Sequence, residues 1–206
     1  GDAPGTGDRV AGPLIATKLY VPTRRSGLVA RPRLLERLSR GGDVRLTLVS
    51  APAGFGKTTL LAEWLGEPST ADRCVAWLSL DASDNEPAVF WSYVVTALRG
   101  AVPGVGPRVL ELIASSPMST ELVLTTLLNE LAAAPGEVWL VIDDYHLVDH
   151  PDIRAGMTRL LEHLPPSVHV VLGTRADPDL PLARWRVRGE LVEIRAADLR
   201  FTSEET

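Results

Sequence analysis

The stretch that decides the fold is Leu46-Thr-Leu-Val-Ser-Ala-Pro-Ala-Gly-Phe-Gly-Lys-Thr-Thr-Leu-Leu-Ala-Glu-Trp-Leu65. It begins as an apolar strand, passes through a loop with two glycines and continues as an amphipathic helix. Gly54 and Gly56 permit backbone conformations that turn successive N–H groups inward around an anion. Lys57 adds a positive charge, and the helix directs its positive end toward the same point. This pattern is typical of a P-loop, which binds the phosphates of a nucleotide.

The P-loop pattern predicts which residues contact the nucleotide. They are Ala53, Gly54, Phe55, Gly56, Lys57, Thr58 and Thr59. Lys57 would reach the β- and γ-phosphates, and the Thr58 hydroxyl would ligate Mg²⁺. Ala51 stands where the pattern G-x-x-x-x-G-K-[ST] has its first glycine, which requires only that φ stay negative at Ala51. The alternative is a glycine-rich turn before an ordinary helix, but strand, loop, Lys-Thr-Thr and helix together favour a nucleotide site.

Composition and charge narrow the class of protein. The 206 residues are 45% hydrophobic, and a domain of this size buries roughly 70% of its unfolded surface. The net charge of −5 argues against this chain itself binding a DNA backbone. The single cysteine, Cys74, is interpreted as a small core residue, and the lack of a disulfide framework favours a cytoplasmic location. No apolar stretch reaches the roughly 20 residues of a membrane span.

The two ends of the chain suggest how it is organised. The glycine-rich, polar start lacks a methionine and predicts a disordered lead over residues 1–16, followed by one P-loop NTPase domain over residues 17–200. Thr202-Ser-Glu-Glu205 has the spacing of a capping box, which begins a helix. Residues 201–206 are therefore expected to be the start of a truncated helical module.

Apolar runs alternate with helical patterns along the rest of the chain. Strands are predicted at residues 45–50, 75–80, 138–142, 168–173 and 191–194. Helices are predicted near residues 34–38, 90–98, 122–134, 153–164 and 182–188, with a loop at residues 103–107. Nearly continuous apolar strands that alternate with helices predict an α/β fold whose parallel sheet is covered on both faces.

An acidic pair follows the third predicted strand. Asp143 and Asp144 end the run Val-Trp-Leu-Val-Ile-Asp-Asp, and burying a carboxylate there is costly unless it faces a cation or water. In a P-loop protein, Asp143 would hold Mg²⁺ through water, and Asp144 would polarise the attacking water. The alternative is that the pair merely ends a strand and caps a turn, which the nearby P-loop makes less attractive.

Two arginines are further candidates for contact with the nucleotide. Arg175 follows the fourth predicted strand, at the sheet edge where ligands bind in open α/β folds. It could sense the γ-phosphate through a charge-assisted hydrogen bond, or it could be a surface arginine paired with Asp177 or Asp179. Val29 and Arg31 precede a predicted helix and could contribute to an adenine pocket.

The same residues carry a resemblance. The chain resembles the N-terminal nucleotide-binding domain of the large ATP-binding LuxR-type transcription regulators, the group of the maltose-regulon activator within the STAND class of signalling NTPases. The matching stretches are Thr17-Lys-Leu-Tyr-Val-Pro22, Arg31-Pro-Arg-Leu-Leu-Glu-Arg-Leu38, Ser50-Ala-Pro-Ala-Gly-Phe-Gly-Lys-Thr-Thr59, Trp77-Leu-Ser-Leu-Asp81 with Asp84-Asn85, Leu140-Val-Ile-Asp-Asp-Tyr-His146, Thr174-Arg175 and Leu199-Arg-Phe-Thr202. They cover nearly the whole chain.

This resemblance implies both a topology and a function. It implies a three-layer sandwich with a mostly parallel five-stranded sheet in the order 5-1-4-3-2. It implies Walker A and Walker B roles for the residues named above, with Arg31 beside the adenine, and it implies ATP/ADP and Mg²⁺ as ligands. Slow or absent ATP hydrolysis, self-association with ATP and DNA binding through absent C-terminal regions are also implied. The rival hypothesis is a metabolic P-loop ATPase or small-molecule kinase.

Overall fold

A five-stranded parallel sheet is the central element of the computed structural model, which describes residues 13–22, 31–67 and 73–200. The strands are β1 (Leu46–Ser50), β2 (Cys74–Ser79), β3 (Val138–Asp143), β4 (Val168–Thr174) and β5 (Leu191–Arg195). Their order is β2-β3-β4-β1-β5, and each neighbouring pair is parallel. The predicted α/β class and strand order are confirmed.

Helices cover both faces of this sheet. They are α1 (Pro32–Ser39), α2 (Lys57–Leu65), α3 (Pro87–Ala101), α4 (Pro107–Ala114), α5 (Thr120–Ala133), α6 (Pro151–Glu162), α7 (Leu182–Val187) and α8 (Ala196–Leu199). Short 3-10 helices lie at Ala16–Leu19, Arg40–Asp43, Ala82–Asp84 and Tyr145–Leu147. Within the described residues, no helix has the length and apolar character needed to cross a membrane.

Strand β3 shows why the strand sequences are almost continuously apolar. Val138, Leu140 and Ile142 belong to a core cluster that also contains the buried faces of α3, α4, α5 and α6. Trp139 and Val141 belong to a second cluster, built with α1 and α2 on the opposite face. Because successive side chains of a strand point to opposite faces, a strand buried on both sides needs apolar residues at every position.

Three large tryptophan side chains lie in the core. Trp64, Trp77 and Trp91 are each no more than 2% exposed. Trp64 on α2 contacts Trp139 on β3 edge to face, with ring centroids 4.9 Å apart. Cys74, which was predicted to be a core residue, is only partly buried because it begins the edge strand β2.

Helix α4 differs from the sequence prediction, which has a loop at residues 103–107 and no element immediately after it. Pro107 is its first residue, where the missing proline N–H costs nothing, and Val109 and Ile113 bury one face. These two signals, an N-terminal proline and an apolar pair four residues apart, are visible in the sequence. The helix is only eight residues long, which weakens its periodicity.

The amino-terminal segment contacts the core earlier than the predicted domain boundary at residue 17. Leu14 packs against the core, and the Ile15 backbone N–H donates to the Tyr93 hydroxyl at 3.0 Å. Lys18 forms ion pairs with Asp81 and Asp84 in the loop after β2. Three predictions lie outside the described residues, namely the lead up to residue 12, Val29 and the helix start at residues 201–206.

The strand register brings the carboxyl ends of four strands together. Ser50 at the end of β1 lies opposite Thr174 of β4 and Arg195 of β5, and Asp143 ends β3. The edge of the sheet formed by these residues is where open α/β folds bind ligands.

Candidate functional site

The loop between β1 and α2 has the backbone geometry that its glycines predict. Gly54 and Gly56 have φ values of 86° and 77°, and Gly56 caps α2, which begins at Lys57. Among the described residues, Asp144 is the only non-glycine residue with positive φ, so Ala51 satisfies the condition set for it. The helix N-terminus and the left-handed glycines orient donors toward an anion in front of the loop.

Lys57 is held inside this loop by backbone oxygens. Its Nζ donates to the carbonyl oxygens of Ala51 at 2.5 Å and Pro52 at 3.0 Å. Lys57 is 8% exposed, and its burial lowers its pKa, while the negative charge of Asp143 acts in the opposite direction. The ammonium group is therefore held close to the first residues of the loop, at the carboxyl ends of the strands.

Asp143 and Thr58 are brought into direct contact. The Thr58 hydroxyl donates to Asp143 Oδ2 at 2.5 Å, and Asp143 Oδ1 accepts from the Asp144 backbone N–H at 2.9 Å. Asp143 is 2% exposed, and this burial raises its pKa even though the Thr58 hydrogen bond favours the charged form. A cation beside the carboxylate would offset the cost of burying its charge.

The donor set at this point fits a small divalent cation. Mg²⁺ prefers oxygen ligands and is commonly bound by one or two carboxylates together with substrate phosphates. The Thr58 hydroxyl and the Asp143 carboxylate supply such oxygens at the base of the phosphate loop.

Gly173 is a site residue that the sequence analysis missed. A Cβ atom at this position on β4 would lie 2.4 Å from Asp143 Oδ1 and 3.4 Å from Leu61 Cδ1. The adjacent strand therefore needs a residue without a side chain for the Asp143 carboxylate to occupy its place. The sequence shows a glycine within an apolar strand, which is a signal for close approach of a neighbouring group.

Asp144 and Arg175 complete the cleft in front of the loop. The cleft has a volume of about 250 Å³ and is lined by Ala53, Gly54, Gly56, Lys57, Thr58, Thr59, Asp144 and Arg175. Asp144 adopts the left-handed conformation with φ of 58°, which an aspartate tolerates better than most residues. This turn redirects the chain directly after the buried Asp143.

Arg175 is exposed, and its expected surface ion pairs are made by other arginines. Asp177 pairs with Arg195, and Asp179 pairs with Arg154 at 2.5 Å. Within the part of the chain that the structure describes, Arg175 has no carboxylate partner in ion-pair contact. The alternative that pairs it with Asp177 or Asp179 is therefore wrong, and Arg175 lines the same cleft as Lys57.

His146 contacts the backbone beside this arginine. Its Nδ1 accepts from the Arg175 N–H at 3.3 Å, which requires an unprotonated Nδ1. Burial lowers the pKa of His146, consistent with a neutral ring. No spacing pattern in the sequence indicates this contact, because His146 and Arg175 are 29 positions apart.

Arg31 lies on the other side of the loop. It is 4% exposed, and its Nη1 donates to the Leu199 carbonyl oxygen at 2.6 Å. Its Nη2 lies 3.5 Å from the position that a Cβ atom on Gly56 would occupy. The predicted adenine-side residue thus adjoins the phosphate loop, whereas Val29 belongs to the part of the chain that is not described.

Together these groups form a cleft suited to a polyanion with a metal ion. Backbone N–H groups, the Lys57 ammonium and the Arg175 guanidinium supply positive charge, while Asp143 and Asp144 supply oxygens for a cation or water. Such an arrangement can bind phosphates and position a metal ion at the same time.

Two curated relatives match nearly the whole chain. It is 39% identical over 194 residues to the HTH-type transcriptional regulator MalT of Cronobacter sakazakii, a match that covers 93% of this chain and 21% of that protein. It is 38% identical over 194 residues to MalT of Yersinia enterocolitica, with the same coverage of both chains. The chain thus spans about a fifth of the length of these relatives. No protein-family model matches it.

A solved structure shares the fold. The crystal structure of Cdc6p from Pyrobaculum aerophilum aligns with a TM-score of 0.56 and 20% sequence identity, covering 85% of this chain and 46% of that one. At this level of identity the likeness concerns the fold, and it agrees with the parallel sheet and flanking helices described above.

Proposed function

The chain is homologous to MalT-type transcriptional regulators and has a P-loop ATPase fold, and from this premise we propose that it is the ATP/ADP-binding switch domain of such a regulator. In this proposal, ADP and ATP stabilise different states of the parent protein, and the isolated domain hydrolyses ATP slowly or not at all. The homology supports a nucleotide-binding regulatory domain, and the geometry of the cleft supports the finer roles below.

The observation that carries the proposal is the contact between Thr58 and Asp143. The Thr58 hydroxyl, in the first turn of α2, lies 2.5 Å from the buried carboxylate of Asp143, which ends β3. These side chains are 85 positions apart in the sequence and meet only because β3 and the P-loop share one edge of the sheet. Their proximity is what a shared magnesium ion requires.

The side chains at the phosphate end are assigned separate tasks. Lys57 binds the β- and γ-phosphates, and Thr58 and Asp143 hold Mg²⁺, which would neutralise phosphate charge when bound. The N–H groups of residues 53–59 bind phosphate oxygens. Because these donor groups are already held in place before the nucleotide binds, binding requires little reorganisation of the protein.

The remaining residues are assigned to the γ-phosphate and to the adenine. Asp144 orients a water molecule toward the γ-phosphate, and Arg175 forms a charge-assisted hydrogen bond with that phosphate. Arg31, which adjoins Gly56, would lie next to the adenine. Asp144 and Arg175 are thus both assigned to the γ-phosphate, the group that ATP has and ADP lacks.

Titration with fluorescent ATP and ADP in the presence and absence of Mg²⁺ tests the proposed function. We expect both nucleotides to bind, Mg²⁺ to strengthen ATP binding, and the purified chain to retain ADP. Incubation with radiolabelled ATP and a panel of small acceptors is the companion assay. Multiple-turnover phosphoryl transfer to an acceptor would instead support the metabolic kinase and would overturn the switch.

Alanine substitutions of the two aspartates in the acidic pair are expected to affect different steps, nucleotide binding and hydrolysis. Asp143→Ala should weaken Mg²⁺-dependent ATP binding by at least about tenfold, since it removes a group that positions the metal. Asp144→Ala should leave binding intact and lower whatever hydrolysis the parent shows. Asp152→Ala, an exposed carboxylate on α6, is the matched control. If both cleft variants bound Mg-ATP and hydrolysed it like the parent, the acidic-pair assignment would be withdrawn.

The partners of the parent protein are also proposals. We propose that DNA binding and self-association require regions of the regulator beyond this P-loop domain, which would span residues 17–200 together with the preceding residues that contact its core. The acidic net charge of −5 supports the absence of DNA binding by this chain alone. A regulator of transcription must reach DNA, which supports a cytoplasmic location in a bacterium.

A further inference from the structure

The segment that carries Arg175 is fixed by bonds to three neighbouring elements. It follows β4 directly, and the Thr174 hydroxyl donates to the Ala176 carbonyl oxygen at 2.7 Å, which closes a tight turn around Arg175. Two residues after Arg175, Asp177 Oδ1 accepts from the Ser50 hydroxyl at 3.2 Å. Ser50 is the last residue of β1, immediately before the phosphate loop.

Asp177 is also bound by an arginine from the edge strand. Arg195, at the end of β5, forms an ion pair with Asp177 and a second one with Glu193 at 2.6 Å. Glu193 in turn binds Arg186 at 2.7 Å. These four charged residues, Arg186, Glu193, Arg195 and Asp177, form a chain of alternating sign that we call the edge network, and its formal charge is zero.

In the fold Asp177 forms its ion pair with Arg195 and not with the neighbouring Arg175. Asp177 is separated from Arg175 by a single residue, and Arg175 is an exposed side chain on a flexible stem. An unpaired carboxylate at position 177 would compete with an incoming phosphate for the Arg175 guanidinium. Because the Arg195 guanidinium occupies Asp177, that competition is removed.

We propose that Arg195 is a positioning residue which, by binding Asp177, leaves Arg175 available for the terminal phosphate of ATP. This inference rests on the proposed function and names a specificity determinant for it. Arg195 does not line the cleft, and it acts on nucleotide choice only through the carboxylate that it holds.

The pair of Asp177 and Arg195 lies at the surface, outside the packed core. Asp177 and Arg195 have half-exposed side chains, 51% and 34% exposed, and ion pairs of this kind are worth little to folding. The electrostatic environment of Asp177 favours its charged form, because the hydrogen bond from Arg195 lowers its pKa. Variants of this pair should therefore fold, and their effect should fall on nucleotide preference.

The test is the ratio of affinities for a non-hydrolysable ATP analogue and ADP, measured by competition with a fluorescent nucleotide. Arg195→Gln should lower the ratio by about fivefold, the size of a competing exposed ion pair. Adding Asp177→Asn to Arg195→Gln removes the competing charge and should restore the ratio to within about twofold of the parent. Asp177→Asn alone should leave the ratio within the same limit. Arg186→Gln, in the same network but not bonded to Asp177, is the matched control.

These variants distinguish competition from simple disruption of the loop. If Asp177→Asn lowered the ratio as Arg195→Gln does, or if the double variant failed to recover, the inference would be wrong. In an Arg175→Ala background, Arg195→Gln should have no further effect on the ratio. Binding that survives Lys57→Ala would contradict the proposed function itself, whereas Lys57-dependent binding with an unchanged ratio in Arg195→Gln would contradict only this inference.

Discussion

Replacing Lys57 by alanine is expected to lower the affinity for ATP and ADP by about 10- to 150-fold and to leave the fold intact. The change removes a charge-assisted contact with the phosphates, of the order of 1.5–3 kcal/mol. It also removes the hydrogen bonds from Nζ to the Ala51 and Pro52 carbonyl oxygens. Pro52 is exposed, so water can replace the lost donor at its carbonyl oxygen. Titration with a fluorescent ATP analogue measures the loss, and circular dichroism with thermal unfolding checks the fold.

Lys18→Ala is the matched control, since Lys18 is the other lysine of the sequence. Lys18 is bound by Asp81 and Asp84. Burial acts to lower the pKa of Lys18, but the hydrogen bonds and charges of these two carboxylates outweigh it and raise the pKa. Its removal leaves the buried Asp84 without its cation, so thermal stability should fall while nucleotide affinity stays within about twofold of the parent. Unchanged affinity in a folded Lys57→Ala variant would mean that nucleotide binds elsewhere.

The parts of the fold that the sequence predicted correctly are those with local signals. Strand β3 is a run of apolar residues that ends in two aspartates, and the P-loop is one contiguous stretch. Each strand was predicted within one residue at either end. The strand order, in contrast, followed from the family resemblance, because no local pattern specifies which strands are neighbours.

The features that the sequence did not reveal depend on contacts between distant residues. Gly173 and Asp143 lie on neighbouring strands, and Arg195 and Asp177 lie on different elements. Asp177 was read as a possible partner of Arg175 because it is close in sequence, but a guanidinium from β5 reaches it in the fold. The burial of Lys57 likewise arises only when the loop folds back over its side chain.

Replacing Gly173 by alanine is expected to weaken Mg²⁺ binding by Thr58 and Asp143, although Gly173 itself is assigned no contact with the nucleotide. The new Cβ atom would lie 2.4 Å from Asp143 Oδ1, well inside van der Waals contact. The carboxylate is held from both sides, by the Thr58 hydroxyl and by the Asp144 backbone N–H, so it cannot move without losing one of these bonds. We expect destabilisation of about 1–3 kcal/mol from overpacking and a loss of at least about tenfold in Mg²⁺-dependent ATP affinity.

Two further variants separate this clash from the general effect of adding a methyl group. Gly100→Ala, near the end of α3, meets no atom within 4 Å, and it should be neutral or more stable by roughly 0.5–1 kcal/mol because alanine favours a helix. In an Asp143→Ala background the clashing oxygen is absent, so Gly173→Ala should cause little additional loss of Mg²⁺-dependent affinity. If Gly173→Ala instead reduced affinity as strongly in that background as in the parent, the damage would come from the strand itself. The position of the Asp143 carboxylate would then not be what Gly173 protects.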